Sequence, residues 1–118
     1  MSGYKRYKVY DATRKFLHII ISKQKYSHED LNEFYIMSSD CEMLFGQKTS
    51  DYLKEIRTKA QKMSNAKEEM LSSNFGTEER NLYMQEEQKN RYWLDDQIIK
   101  GKLNDMFKKH LNFSNIKN

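Results

Sequence analysis

The chain predicts an all-α fold: a small bundle of three or four helices with a long C-terminal helical hairpin and a basic N-terminal arm. Three observations point there. Proline is absent and four glycines are spread over 118 residues, so few positions force the backbone to break. Apolar residues recur at steps of three and four, the spacing of one helix face. Finally, Ser27, Thr49, Ser50 and Thr77 stand just ahead of such stretches, where helices take their N-terminal caps. The expected organisation is an arm over 1–10, one helical domain over 11–111 and a polar tail over 112–118.

Residues 1–10 interleave basic and aromatic side chains, Tyr4-Lys5-Arg6-Tyr7-Lys8-Val9-Tyr10, and fit either a strand or an extended arm. A first helix is expected over about 11–25. Asp11 can cap it, and Ala12, Phe16, Ile19 and Ile20 share a face; the β-branched run Ile19–Ile21 is the argument for a strand instead.

A second helix is expected over about 28–45. Ser27 can accept from its exposed N–H groups, and Glu29 and Asp30 sit at the positive end of its dipole. Leu31, Phe34, Tyr35, Ser38, Cys41, Leu44 and Phe45 continue the stripe, with a break foreseen near Ser38-Ser39-Asp40 and Gly46 as the stop.

A third helix, about 50–71, starts from Thr49 or Ser50. Leu53, Ile56, Ala60, Met63, Lys67 and Met70 step by three and four along a seam too short for a free coiled coil, so a bundle helix is expected. Ser72-Ser73-Asn74-Phe75-Gly76 is the clearest turn. Thr77 then caps a long helix over about 78–110, its first half solvated or lying on a partner, with Gly101 marking a kink or a close crossing.

Charge is sorted along the chain. Residues 1–26 carry +6, 27–46 carry −5, 47–73 carry +2, 74–97 carry −3 and 98–118 carry +4, which totals the net +4. Adjacent +6 and −5 blocks joined by a short connection should place the first two helices side by side. Leu, Ile, Val and Phe make up 24 of 118 residues, a thin supply for a core, supplemented by eight Tyr and seven Met. A fold completed by a partner suits that composition.

The side chains carry no familiar chemistry. His18, His28 and His110 have no metal-ligand spacing, and Cys41 is the one cysteine, which removes intramolecular disulfides and cysteine-based zinc clusters. Cys41 has acids beside it rather than a base or a cation, which argues against a nucleophile. The pairs Glu68-Glu69, Glu78-Glu79, Glu86-Glu87 and Asp95-Asp96 are adjacent, so on a helix they diverge and form no carboxylate dyad. No phosphate loop or dinucleotide fingerprint occurs. The expectation is therefore a non-enzymatic protein without cofactor or metal.

The favoured function is protein–protein interaction, as an accessory or structural subunit of a larger complex or a small adaptor or inhibitor. Tyr4, Tyr7, Tyr10, Leu82, Tyr83, Met84 and Trp93 are the expected anchors, because aromatics and Met concentrate in interface cores. The alternative is a small basic nucleic-acid-binding protein that uses Lys5, Arg6, Lys8, Arg14 and Lys15, cations for phosphate beside tyrosines that stack on bases. A second basic group, Lys100, Lys102, Lys108 and Lys109, would strengthen that alternative if it shared a face with the first. Contact of the first helix with an anionic membrane surface ranks below both. No run reaches the length of a membrane span. The expected compartment is intracellular: cytoplasmic or, with an uncleaved basic N-terminal signal, mitochondrial.

Overall fold

Residues 2–111 are described by the structure, a computed structural model, and among them there are six helices and no strand. The longest pair fixes the shape. Helix α4 (Gln47–Ser72) and helix α5 (Glu78–Ile99) form a hairpin and make the most extensive helix contact. At 1.5 Å per residue α4 alone spans about 39 Å, so the molecule is elongated, 53 × 24 × 22 Å. Cross-contacts show the two helices to be antiparallel. Arg80 Nη1 donates to the Met70 carbonyl at 2.8 Å, the Lys59 ammonium lies 5.5 Å from the Trp93 ring centre, and the Tyr52 hydroxyl donates to Gln97 Oε1 at 2.7 Å.

The α4 side of the seam is the apolar stripe read from the sequence: Leu53, Ile56, Ala60 and Met63 are buried, and Ala66 joins them. The α5 side is mostly polar, with Glu87, Asn90 and Gln97 buried beside Leu94. Each polar group finds a partner, as burial requires. Asn90 Nδ2 donates to the Glu86 carbonyl, Gln97 Nε2 donates to the Trp93 carbonyl, and Arg91 pairs with Glu87 at 2.9 Å. Part of the helix half expected to be solvated therefore faces α4.

The strand or extended arm expected over residues 1–10 is instead helical: α1 runs Ser2–Lys23. Val9 and Tyr10 belong to the same buried face as Thr13, Phe16, Leu17 and Ile20, so the three-to-four periodicity reaches back past Asp11. Tyr10 sets its ring edge-on to Phe107 and donates to Asn104 Oδ1 at 2.7 Å, which holds this end of α1 against the C-terminal part of the fold. Helix α1 stops at Gln24, a non-glycine residue at φ 56°.

Helix α2 (His28–Met37) starts as its sequence predicts. Ser27 Oγ accepts from Asp30 N–H at 3.0 Å, and Asp30 Oδ2 accepts from Ser27 N–H at 2.9 Å, a closed capping box. It docks on α1, yet no ion pair joins them among the described residues. Those ion pairs all link residues three or four apart in sequence. The contact is aromatic: Phe16 and Phe34 stack with centroids 4.9 Å apart and planes 7° from parallel, and Tyr26 meets Phe16 edge-on.

The foreseen break at Ser38–Asp40 separates α2 from helix α3 (Cys41–Phe45). Gly46, at φ 90° and ψ 179°, then turns the chain straight into α4. Thr49 and Ser50, expected as caps, lie inside α4 and are buried; Ser50 Oγ accepts from the Cys41 thiol at 3.3 Å. The expected helix over 78–110 also divides. Gly101 is left-handed, φ 68°, and ends α5 before helix α6 (Lys102–Phe107). The polar tail expected over 112–118 lies outside the described residues.

Candidate functional site

The hairpin gives the molecule two unlike ends. At the turn end α4 and α5 run past the rest of the fold. Helix α1 stops beside Lys67, whose Nζ donates to the Gln24 carbonyl at 3.4 Å, and Tyr26 then donates to the Ala60 carbonyl at 2.8 Å. Leu71 lies one turn beyond Lys67 on the same face, where no α1 side chain remains to cover it. Leu71 is 65% exposed, Phe75 in the turn 89% and Leu82 59%. Together with Met84 they make the apolar part of this end.

The acids are here too. Glu68, Glu69, Glu78, Glu79 and Glu86 are exposed and make no ion pair among the described residues. Arg80, the one cation in 68–88, is occupied: it donates to the Met70 and Ser73 carbonyls and packs 4.2 Å from the Phe75 ring centre.

The expected interface anchors are therefore not one patch. Leu82 and Trp93 are eleven residues apart, close to three turns, and share a flank of α5; Trp93 is half-buried beside Lys59. Tyr83 is half-buried where the seam fades, and Met84 lies on the opposite flank from Leu82. Tyr4, Tyr7 and Tyr10 are at the other end of the molecule. Tyr4 is exposed with Lys8 over its ring, Tyr7 is half-buried against Tyr10, and Tyr10 is a core residue, 8% exposed. Sequence reasoning missed Leu71 and Phe75. Their signal was present, since Leu71 falls one residue off the α4 seam and Phe75 stands in the turn.

The basic candidates are mostly engaged. Arg6 Nε donates to the Leu44 carbonyl at 2.9 Å, and its guanidinium lies 6.0 Å from the Phe45 ring centre. Arg14 and Lys15 both pair with Asp11, at 2.8 and 3.0 Å. Burial pulls the Asp11 carboxyl up, but the hydrogen bonds and charges of Arg14 and Lys15 outweigh it and hold the group below its ordinary value. Lys5 and Lys8 are exposed.

The second basic group meets the first through one residue of each, Arg6 and Lys109, near His110. Lys48, Lys102 and Lys109 line one shallow concavity with Asp105 and Met106. His110 packs edge-on to Phe45, 5.0 Å between centroids, and its pKa is lowered by burial and by the positive charges of Arg6 and Lys109. Arg6 from the first group and Lys109 from the second thus both lie near His110.

A groove of about 440 Å³ runs between α2 and α4, lined by His28, Leu31, Asn32, Tyr35, Arg57 and Gln61. Cys41 is buried, and no three His, Cys, Asp or Glu side chains among the described residues converge as metal ligands. No described helix is long and apolar enough to cross a membrane. No protein-family model, curated protein or solved structure matches this chain.

Proposed function

We propose that the chain is a non-enzymatic interaction protein, an accessory subunit or adaptor, and that it docks a protein partner at the turn end of its hairpin. The observation that carries this reading is the exposure of Leu71, Phe75, Leu82 and Met84 at an end that the other helices do not cover. Exposed apolar residues around one end of a molecule with a thin core, with Leu82 and Met84 on opposite flanks of α5, suit a partner that caps that end. The five exposed glutamates around them, none in an ion pair among the described residues, favour a partner that is basic where it meets this end and disfavour a second copy of the same acidic end.

Placing charges on the apolar residues tests it. Leu71→Glu combined with Met84→Glu should leave helicity and unfolding midpoint near wild type, because exposed positions shift stability by about 0.5 kcal/mol or less. The same variant should abolish the partner complex. A complex that survives at native affinity refutes the assignment of this end.

A second reading, nucleic-acid binding, is favoured by the convergence of Arg6 and Lys109 on His110 beside Lys48 and Lys102. It moves the contact from the Arg14–Lys15 side, where Asp11 holds both cations, to the opposite end of the hairpin from the turn. It predicts affinity for oligonucleotides that falls steeply with salt and weakens in Lys48→Glu/Lys109→Glu. Salt-insensitive binding would contradict it.

A further inference from the structure

Five arginines occur in the chain, and four of them spend their donors inside the fold. Arg6 donates to the Leu44 carbonyl, Arg14 to Asp11, Arg80 to the Met70 and Ser73 carbonyls, and Arg91 to Glu87. Arg57 differs. Among the described residues it has no hydrogen bond and no ion pair; its one contact of this kind is with the face of Tyr35, 4.6 Å from guanidinium carbon to ring centre. A guanidinium held at a ring without a hydrogen-bond acceptor keeps its N–H donors available, and their fork fits two oxygens of a carboxylate or phosphate.

The surroundings select for the same chemistry. Arg57 and Tyr35 are on opposite walls of the groove between α2 and α4, two helices that barely touch. The groove's polar lining is His28, Asn32 and Gln61, all able to donate, and it contains no Asp or Glu. The adjoining concavity, which Arg57 and Tyr35 also line, carries one acid and one further cation, Glu42 and Lys54, whose charges offset each other. Helix α2 is otherwise acidic, but Asp30 and Glu33 line a different concavity, against α1. Leu31 and the Tyr35 ring add apolar wall. One guanidinium among neutral amides suits a single carboxylate better than a polyphosphate, which gathers several cations. The amides and the apolar wall in turn suit a peptide backbone and its side chains.

We infer that the α2–α4 groove is a recognition site for an acidic peptide segment, one of whose carboxylates makes a bidentate pair with Arg57. Tyr35 is a positioning residue that holds the guanidinium on its ring. The site is separate from the turn end of the hairpin and does not depend on what docks there.

The test uses two amidated, N-acetylated peptides of opposite character, Glu-Leu-Glu and Gln-Leu-Gln, titrated into the full chain. Arg57 Nε–H and the side-chain amides of Asn32 and Gln61 are followed by NMR at constant ionic strength. The Glu peptide should give saturable shifts of all three groups, and the Gln peptide should bind at least tenfold more weakly. Arg57→Gln should remove the response while the backbone spectrum stays folded. Arg57→Lys should keep only part of it, since an ammonium cannot make the bidentate pair. Tyr35→Leu should weaken binding without abolishing it. Leu71→Glu should respond as wild type does, which separates this site from the hairpin end. Equal response to both peptides, or shifts that persist in Arg57→Gln, would overturn the inference. Tighter binding of inorganic phosphate than of the Glu peptide would reassign the site to phosphate and overturn the peptide assignment.

Discussion

Replacing Phe34 by Ala separates two accounts of how α1 and α2 dock, one electrostatic and one based on packing. Phe34 is 2% exposed and stacks on Phe16 with ring centroids 4.9 Å apart. Truncating a buried aromatic costs about 3–5 kcal/mol, through lost transfer free energy and the cavity left behind. Unfolding entropy of about 2.1 cal/mol/K per residue, over 118 residues, converts that into a fall in Tm of about 12–20 °C. The companion variant, Glu29→Gln with Glu33→Gln, removes charge from α2 at two exposed residues that have no ion pair among the described residues. It should cost no more than about 1 kcal/mol, the loss of Glu29 from the positive end of the helix dipole included. Urea unfolding followed by far-ultraviolet circular dichroism reads both. A loss in the glutamate variant comparable to that in Phe34→Ala, growing as salt is lowered, would refute the packing account.

Three further outcomes follow from single contacts. Tyr52→Phe leaves the Oε1 of the fully buried Gln97 without its 2.7 Å donor and should lower stability by about 1–3 kcal/mol in the same unfolding assay. Gly101→Ala forces a side chain into the left-handed turn between α5 and α6, φ 68°, and should cost about 1–2 kcal/mol even though nothing crowds the site. Asp95 has one buried carboxylate oxygen without a hydrogen-bond partner among the described residues; burial raises its pKa, Arg91 opposes the rise, and Asp96 and Glu87 add to it. Its folded-state pKa lies above the unfolded one, so stability present below the unfolded pKa is lost as pH rises through the folded pKa. Asp95→Asn should therefore be the more stable form at pH 7, with the difference vanishing at pH 3; a destabilised variant at pH 7 would reverse the sign.

Local chemistry was legible in the sequence, and long-range partnership was not. The capping box at Ser27–Asp30, the turn after Ser72 and the cap at Thr77 can be read because the donors and acceptors lie within three or four residues of each other. The α4 stripe from Leu53 to Met63 could be read because apolar periodicity reports burial directly. The start of α1 was hidden: between Ser2 and Val9 the chain shows no apolar stripe, and it is held by contacts distant in sequence, Tyr10 with Asn104 and Phe107 and Arg6 with the Leu44 carbonyl. The α5 seam was hidden for the opposite reason. Glu87, Asn90 and Gln97 look solvated in sequence, and they are buried because Arg91, Glu86, Trp93 and Tyr52 satisfy them.

The same distinction governs the candidate sites. Basic and acidic blocks suggested that α1 and α2 would lie side by side, and they do, although aromatic rings rather than ion pairs make the contact. Of the proposed anchors, Leu82 and Met84 reach the exposed end while Tyr10 is taken up by the core. Leu71 gains meaning only from where α1 stops, which depends on the turn at Gln24. Arg57 gains meaning only from what it lacks, a contrast with four other arginines that requires the fold.

The most direct test of the docking claim is affinity purification of the tagged chain from its own cells, with and without nuclease, run beside the Leu71→Glu/Met84→Glu variant. A stoichiometric protein set that survives nuclease and disappears in the variant is the expected result. A set that collapses on nuclease treatment, or one that the variant retains in full, would contradict it.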